Sequence, residues 1–431
     1  MKRVLKCLFV MLVLALCVPL ALMPVAATGI LPGDTDGNDK LTEGELADSI
    51  MAYLDVTYLG GSADYLELDE LRDAAHVYAY WNGEPMRITD MADREATFYR
   101  PVKRVVCTAS NIVRVAIALD ACDRLVGIDQ CSHPGNKRMD PLCFNSPVCA
   151  EQLCGGRLVE LPDTGSSVGP RGHQIHLQEE LIMSLKADVI FLTSDLYADV
   201  TQEKTGIPVV YLRSSGYMFE DVCESAEIMG MVLETEGEAE ERLSFIKEEV
   251  NKISNITSQI PDSDKPTVFW GWTQCSFEST VGSNSVTLDR AGAINVAKDI
   301  PRGWGSVTKE QIIAWNPDII LVGAGSSNEA AAIRLKDVLD DPVYQNMTAV
   351  KKGDVYLVPL VHIAGSPQDI NLFNLIYLAK LLHPEEFEDL DVEEEGNEIF
   401  KRFLRVDGLF TEYVACNADW LRVRLDEQQK S

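Results

Sequence analysis

The segment 235–260, TEGEAEERLSFIKEEVNKISNITSQI, constrains the chain more than any other. Thr235 followed three residues later by Glu238 has the form of a capping box, in which hydroxyl and carboxylate each satisfy an orphan backbone N–H. Ala239, Leu243, Ile246, Val250 and Ile253 recur at steps of four and three. That spacing lays one apolar stripe along a helix. Pro261 and Pro266 close it. Roughly 20 helical residues at 1.5 Å each span about 30 Å, the width of a small domain. A helix of that length, with β-branched runs on both sides, reads as a rigid joint between two α/β lobes.

Before the helix, buried strands are expected at 103–107, 123–129, 187–193 and 207–212, with helices at 112–121, 177–186 and 222–233. After it the pattern restarts. Strands are expected at 267–271, 318–323 and 354–359, and helical stretches at 285–297, 309–315, 330–339 and 370–382. Alternating strands and helices imply parallel sheets covered on both faces, with ligands beyond the carboxyl ends of the strands. One phrase occurs twice: Glu180 opens ELIMSLKADVI and Glu310 opens EQIIAWNPDII. Each is a helix running into an Asp and a buried strand. An acid near a helix start also complements the helix dipole, so the repeat alone does not assign it a role.

The chain starts with a basic stretch (Lys2, Arg3, Lys6), an apolar run from Leu8 to Leu22 and Val25-Ala26-Ala27. This is the form of a secretory signal, expected over 1–27, with retention as an anchor the alternative. The expected location is therefore exported, periplasmic or at the cell surface. The formal charge of -29 argues against a nucleic-acid partner. Of 11 cysteines, nine lie beyond the signal, so at least one thiol is free. Cys131, Cys143, Cys149 and Cys154 crowd one segment, where a disulfide fits an exported protein. No C-x2-C pair supports zinc there. His173 and His176, three apart, are too few for a bare-metal site.

Residues 34–45, DTDGNDKLTEGE, form an oxygen-ligand loop for Ca2+. Asp34, Asp36 and Asn38 occupy positions 1, 3 and 5, Lys40 offers its carbonyl at 7, Thr42 stands at 9 and Glu45 at 12. Asp39 fills position 6, where the turn requires a left-handed backbone that Asp tolerates. The Glu-Leu pair at 45–46 is echoed at 70–71, but Leu59, Gly61 and Ala63 stand where a second loop needs ligands. Over residues 30–84 the chain resembles a dockerin with one intact loop. The resemblance implies a small all-α module, bounded at 28–86, with a cohesin-like partner; a structural calcium clip is the alternative.

The phrases TDMADREATF, KRVVC, DRLVGI, EKTGIPVVYL, WGSVTKEQIIAWNPDIILVGAG and GDVYLVP resemble those of class III substrate-binding proteins of ABC importers, from about residue 87 to 388. That family implies two Rossmann-like lobes, here 87–234 and 263–388, joined by the backbone helix at 235–262. It implies a ligand such as an iron–siderophore complex, haem or cobalamin, and permease subunits as partners; the alternatives are a cell-surface calcium-dependent interaction protein, or a direct metal or oxyanion binder. Glu180 and Glu310 fall where relatives carry acids that pair with permease Arg residues. Loops expected to line the cleft hold Ser110, Asn111, Arg171, Tyr197, Trp272, Arg302, Trp304 and His362. Aromatic rings stack on macrocycles or catechols, and Arg pairs with ligand carboxylates. No G-x-S-x-G, G-x-x-x-x-G-K-[ST] or H-E-x-x-H motif is present, so an enzyme is not expected. Residues 389–431 begin acidic and end in a helix-like tail to which no role is assigned.

Overall fold

The structure is a computed structural model that describes residues 31–62, 64–129, 132, 152–166, 176–213, 219–272, 279–281, 284–300, 304–323, 335–358 and 368–416. It opens with two helices, α1 (Glu43–Leu54) and α2 (Leu68–Tyr80), joined through a π-helical turn that stops at Gly60. Leu31, Leu41, Leu46, Leu71, Ala74 and Val77 make their small core. Gly83 carries a φ of +80°, and a Cβ there would lie 2.2 Å from the Leu41 carbonyl oxygen. Only glycine lets the chain leave α2 and return close enough for the Leu41 N–H to donate to Gly83 at 2.7 Å. An antiparallel hairpin follows, β1 (Met86–Thr89) with β2 (Glu95–Phe98).

The first lobe runs β3 (Val105–Cys107), α3 (Ser110–Ala118), β4 (Leu125–Ile128), a two-residue pair β5 (Gly165–Ser166) and β6 (His176–Leu177), α4 (Glu179–Ser184), β7 (Val189–Leu192), α5 (Asp195–Thr205), β8 (Val209–Tyr211) and α6 (Phe219–Leu233). Its sheet has the order β4-β3-β7-β8, every pair parallel. Uninterrupted apolar triplets and quartets form these strands because both faces are covered.

The long helix is α7 (Glu236–Thr257), with Ala239, Leu243, Ile246 and Ile253 of the expected stripe buried. Its start differs from the expected capping box. Thr235 makes no side-chain cap, and its buried hydroxyl has no partner among the described residues. Glu238 is turned instead to Arg242, at 3.0 Å, and to Arg405. Two guanidinium groups compete with one backbone N–H for that carboxylate, and charge-assisted pairing wins.

The second lobe comprises β9 (Thr267–Trp272), β10 (Ser279–Val281), α8 (Asn284–Arg290), β11 (Ile294–Asn295), β12 (Trp304–Ser306), α9 (Lys309–Trp315), β13 (Ile319–Gly323), α10 (Thr348–Lys352), β14 (Val355–Val358) and α11 (Gln368–Leu382). β9, β13 and β14 are parallel, as expected, but β10 runs antiparallel to both β9 and β12. This sheet is mixed. The helical stretch expected over 285–297 is also divided, because Gly292, at φ +81°, turns the chain from α8 into β11.

The C-terminal segment is structural. α12 (Val392–Leu404) buries Ile399, Phe400, Phe403 and Leu404, and α13 (Leu409–Cys416) follows. Phe410 packs edge-on to Phe400 at 5.3 Å and against Phe373 of α11 at 4.7 Å. Phe403 meets Phe245 of α7. At the end of α12, Arg405 donates to the carbonyls of Ile117 and Ala118 at the foot of α3. One continuous apolar core runs from Val105 and Phe191 through α7 and α11 to Trp270 and Leu321. The lobes are joined by a shared core as well as by one helix.

Candidate functional site

The two lobes repeat one local design, residue for residue. In each, a short helix (α4, α9) buries one isoleucine completely, Ile182 or Ile312. Each helix then ends on a left-handed residue, Lys186 at φ 51° or Asn316 at φ 42°. An Asp follows. Asp188 accepts from the Lys103 and Arg104 N–H groups at 2.9 and 2.8 Å, pinning the entry of β3. Asp318 accepts from the Thr267 N–H at 3.0 Å and its hydroxyl at 2.6 Å, pinning the entry of β9. Their environments then diverge. Burial raises the Asp188 carboxyl, whereas the Thr267 hydroxyl and N–H lower that of Asp318. Glu180 and Glu310 occupy the same step of the repeat, and both are exposed. Glu310 is held below the ordinary Glu value by its own backbone N–H and by Thr308.

The expected cleft residues are only partly gathered. Ser110 and Asn111 form the first turn of α3, just past the carboxyl end of β3, and both are buried. Tyr197 lies on α5, just past the carboxyl end of β7, half-exposed. Trp272 and Trp304 were expected in loops after strands. Trp272 is the last residue of β9 and Trp304 the first of β12, facing Ser279 and Val281 of β10 in register. Arg171, His173, Arg302 and His362 lie outside the described residues, while His176 is an exposed residue of β6.

Three buried groups at the same end of the first sheet were not singled out from sequence. Thr108 donates to the Phe191 carbonyl at 2.9 Å, Asp129 accepts from the Ser132 N–H at 3.2 Å and from its hydroxyl, and Thr164 donates to the Ile128 carbonyl at 2.9 Å. A second omission spans the lobes. Arg114 of α3 and Asp369 of α11 form an ion pair in which each side chain is 2% exposed. A lone Arg within the apolar run SNIVRVAIA was the available signal, since a cation inside a buried helix requires a partner.

In the N-terminal module, carboxylate oxygens of Asp34, Asp36 and Glu45 lie within 4.8 Å of one another. Asp39 has the left-handed backbone expected of it, φ 59°. Asp34 accepts from the N–H groups of Gly37 at 2.9 Å and Asp39 at 2.8 Å, and Asp36 from Asn38 at 3.1 Å. Glu45 also completes a capping box with Thr42. Its carboxyl is lowered to about 2, first by the Thr42 N–H and hydroxyl and then by Thr35. Leu59 and Gly61 are not part of any such cluster among the described residues, and Ala63 lies outside them. The module is seated on the first lobe. Glu234, the left-handed residue after α6, receives Trp81 Nε1 at 2.7 Å and His76 Nε2 at 2.8 Å, and Lys103 pairs with Asp73.

The cysteines resolve differently from the crowded-segment reading. Cys154 is bonded to Cys122, thirty-two residues away, while Cys107 is a buried free thiol raised by burial. Cys131, Cys143 and Cys149 lie outside the described residues.

Two α/β lobes on a shared core, with buried polar groups collected past the carboxyl ends of the first lobe's parallel strands, have the architecture of a two-lobed binding protein. Residues 105–360, more than half of the chain, match the family described as "Periplasmic binding protein", and the protein belongs to that family. It is similar to the molybdate-binding protein MolA of Haemophilus influenzae, 24% identical over 343 residues, or 74% of this chain and 90% of that one. The Fe(3+)-citrate-binding protein YfmC of Bacillus subtilis is 25% identical over 194 residues, 44% of this chain and 58% of the other. Among solved structures, molybdate-bound MolA superposes with a TM-score of 0.61 at 21% identity, over 75% of this chain and 98% of that one. Helicobacter pylori CeuE in its Ni-His complex gives 0.58 at 19%, over 76% and 98%. The protein is a substrate-binding protein of an ABC transporter, and its relatives are solute binders, not enzymes. No helix among the described residues is long and apolar enough to cross a membrane.

Proposed function

We propose that this exported protein captures a metal chelate between its lobes and delivers it to membrane-embedded permease subunits. The observation that carries the reading is two sheets on one core, one parallel and one mixed, with Ser110, Asn111 and Tyr197 in the first lobe and the strands bearing Trp272 and Trp304 in the second. Arg171, Arg302 and His362 complete the proposed lining. Aromatic faces and Arg suit an iron–siderophore, haem or corrinoid ligand with carboxylates at its rim. A second reading, a small metal oxyanion, is favoured by the buried Ser110 and Asn111 at the first turn of α3, where backbone N–H groups attract anions. The named specificity of MolA supports the same reading. Titration with ferric citrate, a ferric siderophore, cobalamin and molybdate, followed by Trp fluorescence, separates the two. The chelate reading expects quenching that disappears in the Trp272→Phe, Trp304→Phe variant. A response to molybdate alone selects the oxyanion, and no response to any probe defeats both.

Glu180 and Glu310 serve the permease in this reading. An exposed carboxylate accepts a charge-assisted, often bidentate pair from Arg, and such rim pairs mainly fix register and encounter rate. Glu180→Ala with Glu310→Ala should leave ligand affinity unchanged and abolish uptake in a reconstituted importer. Normal uptake by that variant refutes the assignment.

The N-terminal loop is proposed to hold Ca2+ through Asp34, Asp36, Asn38, the Lys40 carbonyl, Thr42 and Glu45. Clustered oxygens and the left-handed Asp39 fit a hard cation. Bound there, the ion would supply a fixed charge that holds the loop, not a reaction. The seat on Glu234 and Lys103 favours a structural clip over a freely tethered docking unit. A cohesin-like partner would have to engage the exposed Met51, Tyr58 and Leu59.

A further inference from the structure

The repeat that carries Glu180 and Glu310 also carries a second matched pair. Met183 stands three residues after Glu180, and Ile313 three after Glu310. Residues three apart share a helix face, so each acid has an apolar neighbour one turn on. Met183 is 41% exposed and Ile313 39%, while the adjacent Ile182 and Ile312 are fully buried. The buried member of each pair explains the folding of the helix; the exposed member is not used by the lobe's core. The correspondence extends on both sides, through the left-handed Lys186 and Asn316 to the strand-pinning Asp188 and Asp318. Both lobes keep one exposed acid and one exposed apolar side chain in the same frame.

Resting on the docking reading above, we infer that each lobe presents a two-part plug, Glu180 with Met183 and Glu310 with Ile313, to a two-fold symmetric pair of permease subunits. The occupant is defined by what faces it. A motif repeated once per lobe is matched by a partner that offers the same patch twice. On a chain of formal charge -29, selective recognition of two carboxylates requires something more than charge. Each permease subunit therefore provides a basic side chain beside an apolar recess. The acids steer and orient, in a salt-dependent way; the apolar pair excludes water from the ion pairs and slows dissociation.

The test is surface-plasmon binding of the full protein to its permease–ATPase complex in nanodiscs, at low and high salt. Met183→Ser with Ile313→Ser should weaken binding about tenfold, through the off-rate and with the salt slope of the parent. Each single change should contribute a comparable share. Glu180→Gln with Glu310→Gln should instead flatten the salt slope. Unchanged melting temperatures confirm that the variants fold, as expected for side chains already exposed. If the Glu variant weakens binding and the Met183, Ile313 variant binds like the parent, the two-part plug is wrong and the docking reading stands. If neither variant alters binding, both fall.

Discussion

Replacing Arg114 by Leu should destabilise the whole two-lobed unit and not one lobe alone. The guanidinium joins Asp369 across the lobes, with both side chains 2% exposed. Removing one partner of a buried pair leaves an uncompensated charge and costs about 3–5 kcal/mol. A cooperative unit of roughly 330 residues has an unfolding entropy of about 0.7 kcal/mol/K near 60 °C. The midpoint should therefore fall by about 4–7 °C. Replacing both Arg114 and Asp369 by Leu removes the charge along with its partner, so most of the loss should be recovered. A double-mutant cycle by calorimetry and urea unfolding gives the coupling. A single endotherm that shifts as one is expected. A loss below about 1 kcal/mol, or a scan that splits into two transitions with only one moved, would refute the reasoning.

Calcium should bind at one site per chain and stabilise the N-terminal module, by about 2.7 kcal/mol at a hundred times the dissociation constant. Isothermal titration and melting with and without chelator check this; two equal sites, or an undiminished response in Asp34→Ala with Asp36→Ala, would overturn it. The module's seat should loosen in acid. Burial raises the Glu234 carboxyl, but hydrogen bonds from His76 and Trp81 outweigh it and hold the group below its ordinary 4.5. A lowered carboxyl contributes stability above 4.5 that is lost as pH falls through the folded value. Hydrogen exchange in α2 should therefore accelerate below that point while the lobe strands stay protected, and Glu234→Gln should flatten the dependence. Equal protection of α2 at about pH 6 and about pH 3 would remove Glu234 from the seat.

The fold was legible where one period dominated. Buried strands such as Val189–Leu192 and Ile319–Gly323 are apolar without interruption, and the stripe of α7 is regular. Elements whose neighbours determine them were not legible. α5 is a polar helix with little apolar face, stabilised by its place beside β8. β10 and β12 become strands only by pairing with β9 and each other. The capping box at Thr235 failed because Arg405, far along the chain, claims Glu238. Local pattern cannot register a competitor that sequence separation hides.

The same division applies to the site and explains how it works as one body. The repeated acids were readable because a short phrase recurs, and the acidic cluster of Asp34, Asp36 and Glu45 because its members lie close together in sequence. Arg114, Asp369, Glu238 and Arg405 were not, since each acquires its role from a partner on another element. These long-range pairs fall where the two lobes, the long helix and the C-terminal helices meet. There the aromatic contacts of Phe373, Phe400 and Phe410 also concentrate. A core shared in this way resists wide swinging of the lobes, because opening would expose the Arg114–Asp369 pair and the faces of α11 together. In the docking reading proposed above, such a core would hold α4 and α9 at a fixed spacing.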